Sequence, residues 1–269
     1  MPLSAKLESN IGQSDIVISD VTYLNAELDS IRGLGMVHYI NAVNATTAGG
    51  YTRARDMVNR NVELISTYSP APVIDTAING RPTLTFGSGG AGIVGQTFRP
   101  QRYGALDVGT GAWSMAFLIK ITGMSDVLVS PERVAKMAAG NYSPFIRFGA
   151  AGGKTQVPIL ADNANAARTV LTTHEFFDTV RLLLICQEPG VGVTWYVDDW
   201  DTPIAATSDP AKAQLTDGKF VLCGRGDALS SLSYCGSLGV FGAHNVALST
   251  LHPQRRDYMQ ALASYGGII

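Results

Sequence analysis

Between Trp113 and Ile121 the chain alternates with a strict period of two. Trp113, Met115, Phe117, Ile119 and Ile121 fall on one side, and Ala112, Ser114, Ala116, Leu118 and Lys120 on the other. An extended strand puts all the large apolar side chains of such a run on one face. That face must be covered by another layer, so the pattern predicts a central core strand in a layered β fold. Burying each of these side chains contributes ~1.5 to 3 kcal/mol. A polar replacement at Phe117 is therefore expected to cost far more than one at Ser114.

The second constraint lies at the far end, over residues 234–269. Gly239, Val240, Phe241 and Gly242 have strand character, and then Leu251, Arg255, Tyr258, Met259, Leu262 and Tyr265 recur at helical spacing. Gln254, Arg256, Asp257 and Gln260 occupy the opposite face. Ser249, Thr250 and Pro253 are start signals, His252 is a helix-start residue, and Gly266 and Gly267 are stop signals. This predicts one C-terminal helix laid on a sheet.

Further short strands are expected at 36–40 (MVHYI), 62–65, 83–86, 127–129, 145–148, 155–160, 168–171, 179–186 (TVRLLLIC), 192–197 (GVTWYV) and 219–223 (KFVLC). Asn79-Gly80 marks a hairpin turn. Residues 41–50 read as a polar loop, and 53–61 (RARDMVNRN) as a polar stretch with isolated apolar residues. The glycine-rich bend at 87–92 has neither the Lys-Ser/Thr pair nor the helix of a phosphate-cradling loop. Turn clusters between short strands, with no βαβ alternation, point to an antiparallel sandwich.

Composition agrees with this class. Charged residues make up 16 % against 46 % hydrophobic, with 29 glycines and 12 prolines, which suits a turn-rich sheet protein rather than a disordered chain. A net charge of −2 without a Lys/Arg stripe gives no footprint for nucleic acid. No apolar run approaches the ~20 residues that span a bilayer, so membrane insertion is not expected. The opening MPLSAKLESNIGQSD lacks the apolar stretch of a secretory signal. Cys186, Cys223 and Cys235 show no CxxC pairing, so buried reduced thiols are expected over a disulfide or metal site. These features fit synthesis in a cytoplasm.

Residues 1–35 read differently from 36–269. DIVISD (15–20) alternates like a strand, and VTYLNAELDSI (21–31) reads as either a helix or an extended arm. The segment is thus an attachment or trimerisation arm, or a first strand of the main sheet.

The order of these signals resembles the concanavalin A-like lectin/glucanase superfamily in its laminin-G-like branch. Four places carry the resemblance. Residues 53–86 hold an Asp-containing loop, an NGRP turn and a strand ending in Phe86; residues 112–120 resemble the strand that opens the core sheet. Residues 181–198, ending in Trp195, Tyr196, Val197 and Asp198, resemble a strand pair closing in a "YVDG" hairpin. Ala247, Leu248, Ser249, Arg255, Tyr258, Leu262, Tyr265 and Gly266 match a closing "aLs…R…yL…YG" pattern. Two departures stand out: Asp199 replaces the usual Gly of the hairpin, and Met57-Val58 replace Ser-Gly in the early loop. The resemblance covers about residues 36–269 and implies an all-β, two-sheet antiparallel jelly-roll sandwich with a C-terminal capping helix and an N-terminal arm. It does not imply an activity.

A glycosidase would need two facing carboxylates, ~5 Å apart for retention and wider for inversion. Glu175 and Asp178 are the nearest sequence pair, read either as that or as the turn before the strand at Thr179. His38, His174, His244 and His252 are not at metal or triad spacing, and no catalytic residue is expected. Asp198, Asp199 and Asp201 could offer hard oxygens to calcium, which takes several at about 2.3 to 2.6 Å; otherwise they form a solvated hairpin tip. Trp200 either stacks on a sugar ring or folds back over the sandwich edge. Tyr103 is a second aromatic candidate for carbohydrate binding.

The expectation from sequence is therefore a non-enzymatic virion structural protein, such as a phage decoration, fibre or tail component, with a lectin-like surface. Its expected partners are copies of itself, as a trimer, other virion proteins and a cell-surface glycan. The alternatives are a carbohydrate-binding receptor-recognition lectin and, behind it, a glycan hydrolase.

Overall fold

The computed structural model describes residues 34–59, 62–66, 71–87, 98–100, 106–123, 127–131, 145–161, 167–207, 218–223, 234–250 and 252–269. The described elements begin with β1 (Met36–Asn41), a short 3-10 helix (Ala42–Asn44), β2 (Ala45–Ala48), β3 (Tyr51–Arg55) and β4 (Glu63–Ser66). It continues through β5 (Val73–Ile78), β6 (Arg81–Phe86), β7 (Phe98–Pro100), β8 (Leu106–Asp107), β9 (Trp113–Ile121) and β10 (Val127–Pro131). Then come β11 (Phe145–Ala151), β12 (Lys154–Ala161), β13 (Ala167–Val170), β14 (Val180–Glu188), β15 (Gly192–Val197) and β16 (Ala205–Thr207). β17 (Lys219–Leu222), β18 (Gly236–His244), a 3-10 turn (Leu248–Thr250) and α1 (His252–Gly266) close the chain.

These strands form two antiparallel sheets. The first runs β16-β15-β14-β9-β18-β6-β5, with β1 also on β18. The second runs β13-β12-β11-β10-β17-β7-β4-β3-β2, with β8 on β17. Their inner faces enclose the main core, where Met115, Phe117 and Ile119 of β9 meet Leu183 and Ile185 of β14 and Phe220 and Leu222 of β17. Phe117 and Phe220 each pack against the Phe241 ring of β18, at 5.2 and 5.8 Å between centroids. The alternating strand predicted from sequence is thus the centre of the first sheet, and the sandwich with one C-terminal helix is observed.

A second core lies on the other side of that sheet. Ala116, Leu118, Leu182, Leu184 and Val240 face Tyr258, Met259, Leu262, Ala263 and Tyr265 of α1. The exposed positions Gln254, Arg256 and Asp257 lie opposite, as the helical spacing predicted. The helix approaches closely because Gly242 and Gly266 carry no side chain: a Cβ at Gly242 would meet the Tyr258 hydroxyl, and one at Gly266 would meet Leu118. Asn79 and Gly80 both adopt left-handed φ values of 50 and 66°, giving the tight β5–β6 turn. The Asn79 amide donates to the Tyr265 carbonyl at 3.3 Å, so this turn also ends the helix.

Two expectations need correction. Ser114 is fully buried, because α1 and its leading turn cover the face that alternation alone assigns to solvent. Its hydroxyl donates to the Val246 carbonyl and accepts from the Leu248 N–H, both at 2.8 Å. The polar stretches at 41–50 and 53–61 contain the hairpin β2–β3, joined at Gly49-Gly50. Polar residues there mark a sheet margin with one wet face. The carboxylates of Glu175 and Asp178 are not a facing pair: they bind different groups, set out below. Residues 1–33 and the arm expected there lie outside the described residues, whereas Leu34 is already part of the helix-side core.

Candidate functional site

The acidic turn after β15 is the candidate recognition surface. Its first residue, Asp198, takes a left-handed φ of 53°. Asp199 is not in that region, so no glycine is needed where the resemblance expects one. Asp198 is held by both carboxylate oxygens: Oδ1 accepts the Leu182 N–H at 2.8 Å and Oδ2 accepts Arg181 at 2.5 Å. Asp199 Oδ1 accepts the N–H groups of Asp201 (2.8 Å) and Thr202 (3.2 Å), folding the turn on itself. The Asp201 N–H bond, with that of Thr202, holds the Asp199 carboxyl below the usual range against the desolvation that raises it. Asp201 is exposed and lies 3.8 Å from Arg256.

The three aspartates therefore engage separate partners. Among the described residues, no group of three or more His, Cys, Asp or Glu side chains comes together to hold a metal ion. Trp200 is half-buried and packs against the helix-side core, so its ring lies back on the sandwich edge with part of its surface open. Tyr103 lies outside the described residues.

Arg255 anchors this turn from behind. Almost fully buried on α1, it donates to the carbonyls of Trp200 (2.9 Å), Ser249 (2.7 Å) and Leu248 (3.2 Å). Its guanidinium sits 4.5 Å from the centroid of the Tyr196 ring. Burial raises the Tyr196 phenol and Arg255 pulls it the other way. Replacing Arg255 with Leu keeps apolar bulk but strips donors from three carbonyls. A loss of about 2–3 kcal/mol is expected in urea denaturation; Lys cannot restore it, because one ammonium does not reproduce the guanidinium fork.

The neighbouring loop, residues 171–179, explains Glu175. Its Oε1 accepts the N–H groups of Gln156, Phe176 and Phe177, and its Oε2 accepts that of Thr155, all within 3.1 Å. Desolvation pushes this carboxyl up, but the four backbone bonds together outweigh it and hold it low. Asp178 pairs with Lys120 at 2.9 Å. Burial, with Arg181 nearby, lowers the His174 imidazole, and Asp198 opposes that shift.

Sequence reasoning missed the buried polar group that collects the most hydrogen bonds among the described residues. Asp56, in the loop after β3, receives the N–H groups of Tyr39, Val58 and Asn59, and His38 Nδ1 lies 2.5 Å from its Oδ2. His38 Nε2 in turn accepts the Asp107 N–H at 2.8 Å. His38 lies in β1 of the first sheet, while Asp56 directly follows β3 and Asp107 lies in β8, both strands of the second sheet, so the cluster clips the layers together. The separation of eighteen residues carries no motif.

No protein-family model and no curated protein matches the chain. Solved structures do match its shape. The binding domain of Paraclostridial Mosquitocidal Protein 1 superposes with a TM-score of 0.53 at 12 % identity, covering 86 % of this chain and 52 % of that one. Trypanosoma rangeli sialidase in complex with sialic acid gives 0.55 at 12 %, covering 91 % and 38 %. The ligand binding domain of Botulinum neurotoxin serotype D, in complex with N-acetylneuraminic acid, gives 0.52 at 12 %, covering 85 % and 52 %. What they share with this chain is the two-sheet antiparallel β-sandwich. The chain spans about half or less of the length of these matched chains, and at this identity the likeness is one of architecture.

Proposed function

We propose that the chain is a non-enzymatic, lectin-like recognition module of a virus particle, a phage decoration, fibre or tail component that contacts a cell-surface glycan through the 198–204 turn. The observation that carries this reading is the half-open Trp200 ring, on a residue whose backbone carbonyl Arg255 holds and which exposed Asp199, Asp201 and Arg256 flank. A ring face beside carboxylates and a guanidinium suits a sugar, whose C–H face stacks while its hydroxyls find polar partners. The non-enzymatic part is supported by Glu175 and Asp178, each committed to a structural partner. The virion part is supported by the lectin-like fold and by buried thiols at Cys186, Cys223 and Cys235, which suit assembly in a reducing cytoplasm. In that role the chain works as a cyclic homo-oligomer, a trimer, alongside other virion proteins.

The test is a glycan and bacterial-surface array on the full chain, with calcium and with chelator. Specific binding is expected, and Trp200→Ala is expected to weaken it tenfold or more, about 1.4 kcal/mol, in a chain that still folds, with a lower unfolding midpoint from the lost packing on the helix-side core. Binding lost in chelator assigns calcium to the acidic turn; binding retained removes it. A folded chain that binds nothing overturns the glycan reading. Light scattering showing a monomer that enters no particle overturns the virion reading.

A further inference from the structure

Within the main core one patch is polar. β9, β14 and β15 are neighbours, and Gln187 of β14 pairs in register with Trp113 of β9 and Val193 of β15, while Ile185 pairs with Trp195. Gln187 therefore stands directly beside Trp113 and diagonally beside Trp195, on the face turned to the second sheet. Gln187 and Trp195 are fully buried and Trp113 is 3 % exposed. The indole Nε1 of Trp113, the indole Nε1 of Trp195, and both Nε2 and Oε1 of Gln187 have no hydrogen-bond partner among the described residues.

Buried polar atoms are paired in the great majority of cases, and leaving one unpaired costs more than pairing it returns. Four such atoms on adjoining positions of three strands form a matched set rather than scattered exceptions. Two indole N–H groups and the amide NH2 donate; the amide oxygen accepts. A cation would face those N–H dipoles, and an anion would face the amide oxygen with no positive charge in the set. A hydroxyl oxygen satisfies both sides, accepting from the N–H groups and donating its proton to Oε1.

We propose that the Trp113–Gln187–Trp195 patch is an internal binding site for neutral hydroxyl groups, supplied by trapped water or by a small polyol or monosaccharide. The patch lies where β9 starts and β14 ends, with Trp195 midway along β15, and Trp113, 3 % exposed, is the least buried of the three. It is separate from the turn surface around Trp200, so either assignment can fail alone.

The experiment is a crystal structure of the full chain at a resolution that shows ordered water, with crystals either untreated or soaked in glycerol or glucose. Oxygen density within about 3.2 Å of at least two of the four polar atoms is expected. Density unchanged by soaking assigns water. Density that grows a carbon frame, together with a saturable change in tryptophan fluorescence on titration in solution, assigns the polyol or sugar. Gln187→Leu is expected to remove the oxygen and, for a polyol, to weaken binding at least tenfold. Should that variant fail to fold, Trp113→Phe keeps a ring, deletes one donor and is read in the same way. A Gln187 amide bonded directly to either indole with no oxygen nearby overturns the proposal, as does density that persists unchanged in Gln187→Leu.

Discussion

Asp56→Ala is expected to destabilise the protein by about 4 kcal/mol, seen as a large drop in the urea midpoint with little change in slope. The carboxylate is fully buried and collects three backbone N–H groups and one imidazole. Alanine leaves those donors without an acceptor in a place water does not reach. The tautomer makes the pair directional. Because His38 Nε2 accepts from Asp107, the ring proton sits on Nδ1 and is donated to Asp56. Asp56→Asn keeps one acceptor oxygen but sets an amide N–H against that ring proton, so about half the loss is expected. A change below about 1 kcal/mol for the alanine variant would show that the clip adds little to sheet packing.

Acidification is the second large effect. His244, fully buried at the end of β18, donates from Nδ1 to the Leu34 carbonyl at 3.1 Å and packs its ring against Tyr258 at 5.1 Å between centroids. Burial pushes its pKa down from 6.5 to about 4, more strongly than the Leu34 bond raises it. The unfolded chain therefore takes up a proton near pH 6.5 that the folded chain refuses until about pH 4. In that window the unfolded state binds more protons, so stability falls as pH falls, by about 3 kcal/mol across the window. Glu175 and Asp199 act in the same direction, but their depressed carboxyls matter only at lower pH, below their unfolded values. The check is denaturation at pH 7, 5.5 and 4 for wild type and His244→Asn. The variant is less stable at pH 7 but should lose much less on acidification; parallel curves would refute the assignment.

Alternation at residues 113–121 and helical spacing after Leu248 were enough to place the central strand and the cap, since each pattern has one geometric solution. Ser114 was misread because a period of two says which residues share a face, not whether a helix from far along the chain covers it. The β2–β3 hairpin was hidden because its outer residues Tyr51, Arg53 and Arg55 look like loop residues when only Thr52 and Ala54 point inward. Trp200 was legible as an aromatic in an acidic turn, and its ring packs on the helix-side core while part of its surface stays open. The Asp56 cluster and the buried role of Arg255 were not legible, since both rest on contacts between segments that only the finished fold brings together.

That dependence on late contacts is greatest at β18. Its residues 236–238 pair with β6, residues 240–244 pair with β1, and its length pairs with β9. Until Gly236–His244 has left the ribosome, three earlier strands each keep an open edge, and α1 has not been made to shield the apolar face beside them. A chain stalled or clipped before Gly236 would carry nearly all the hydrophobic mass of the protein without the piece that closes it. Such fragments should be sticky and dependent on chaperones, whereas a chain that carries β18 and α1 closes those edges and covers that face.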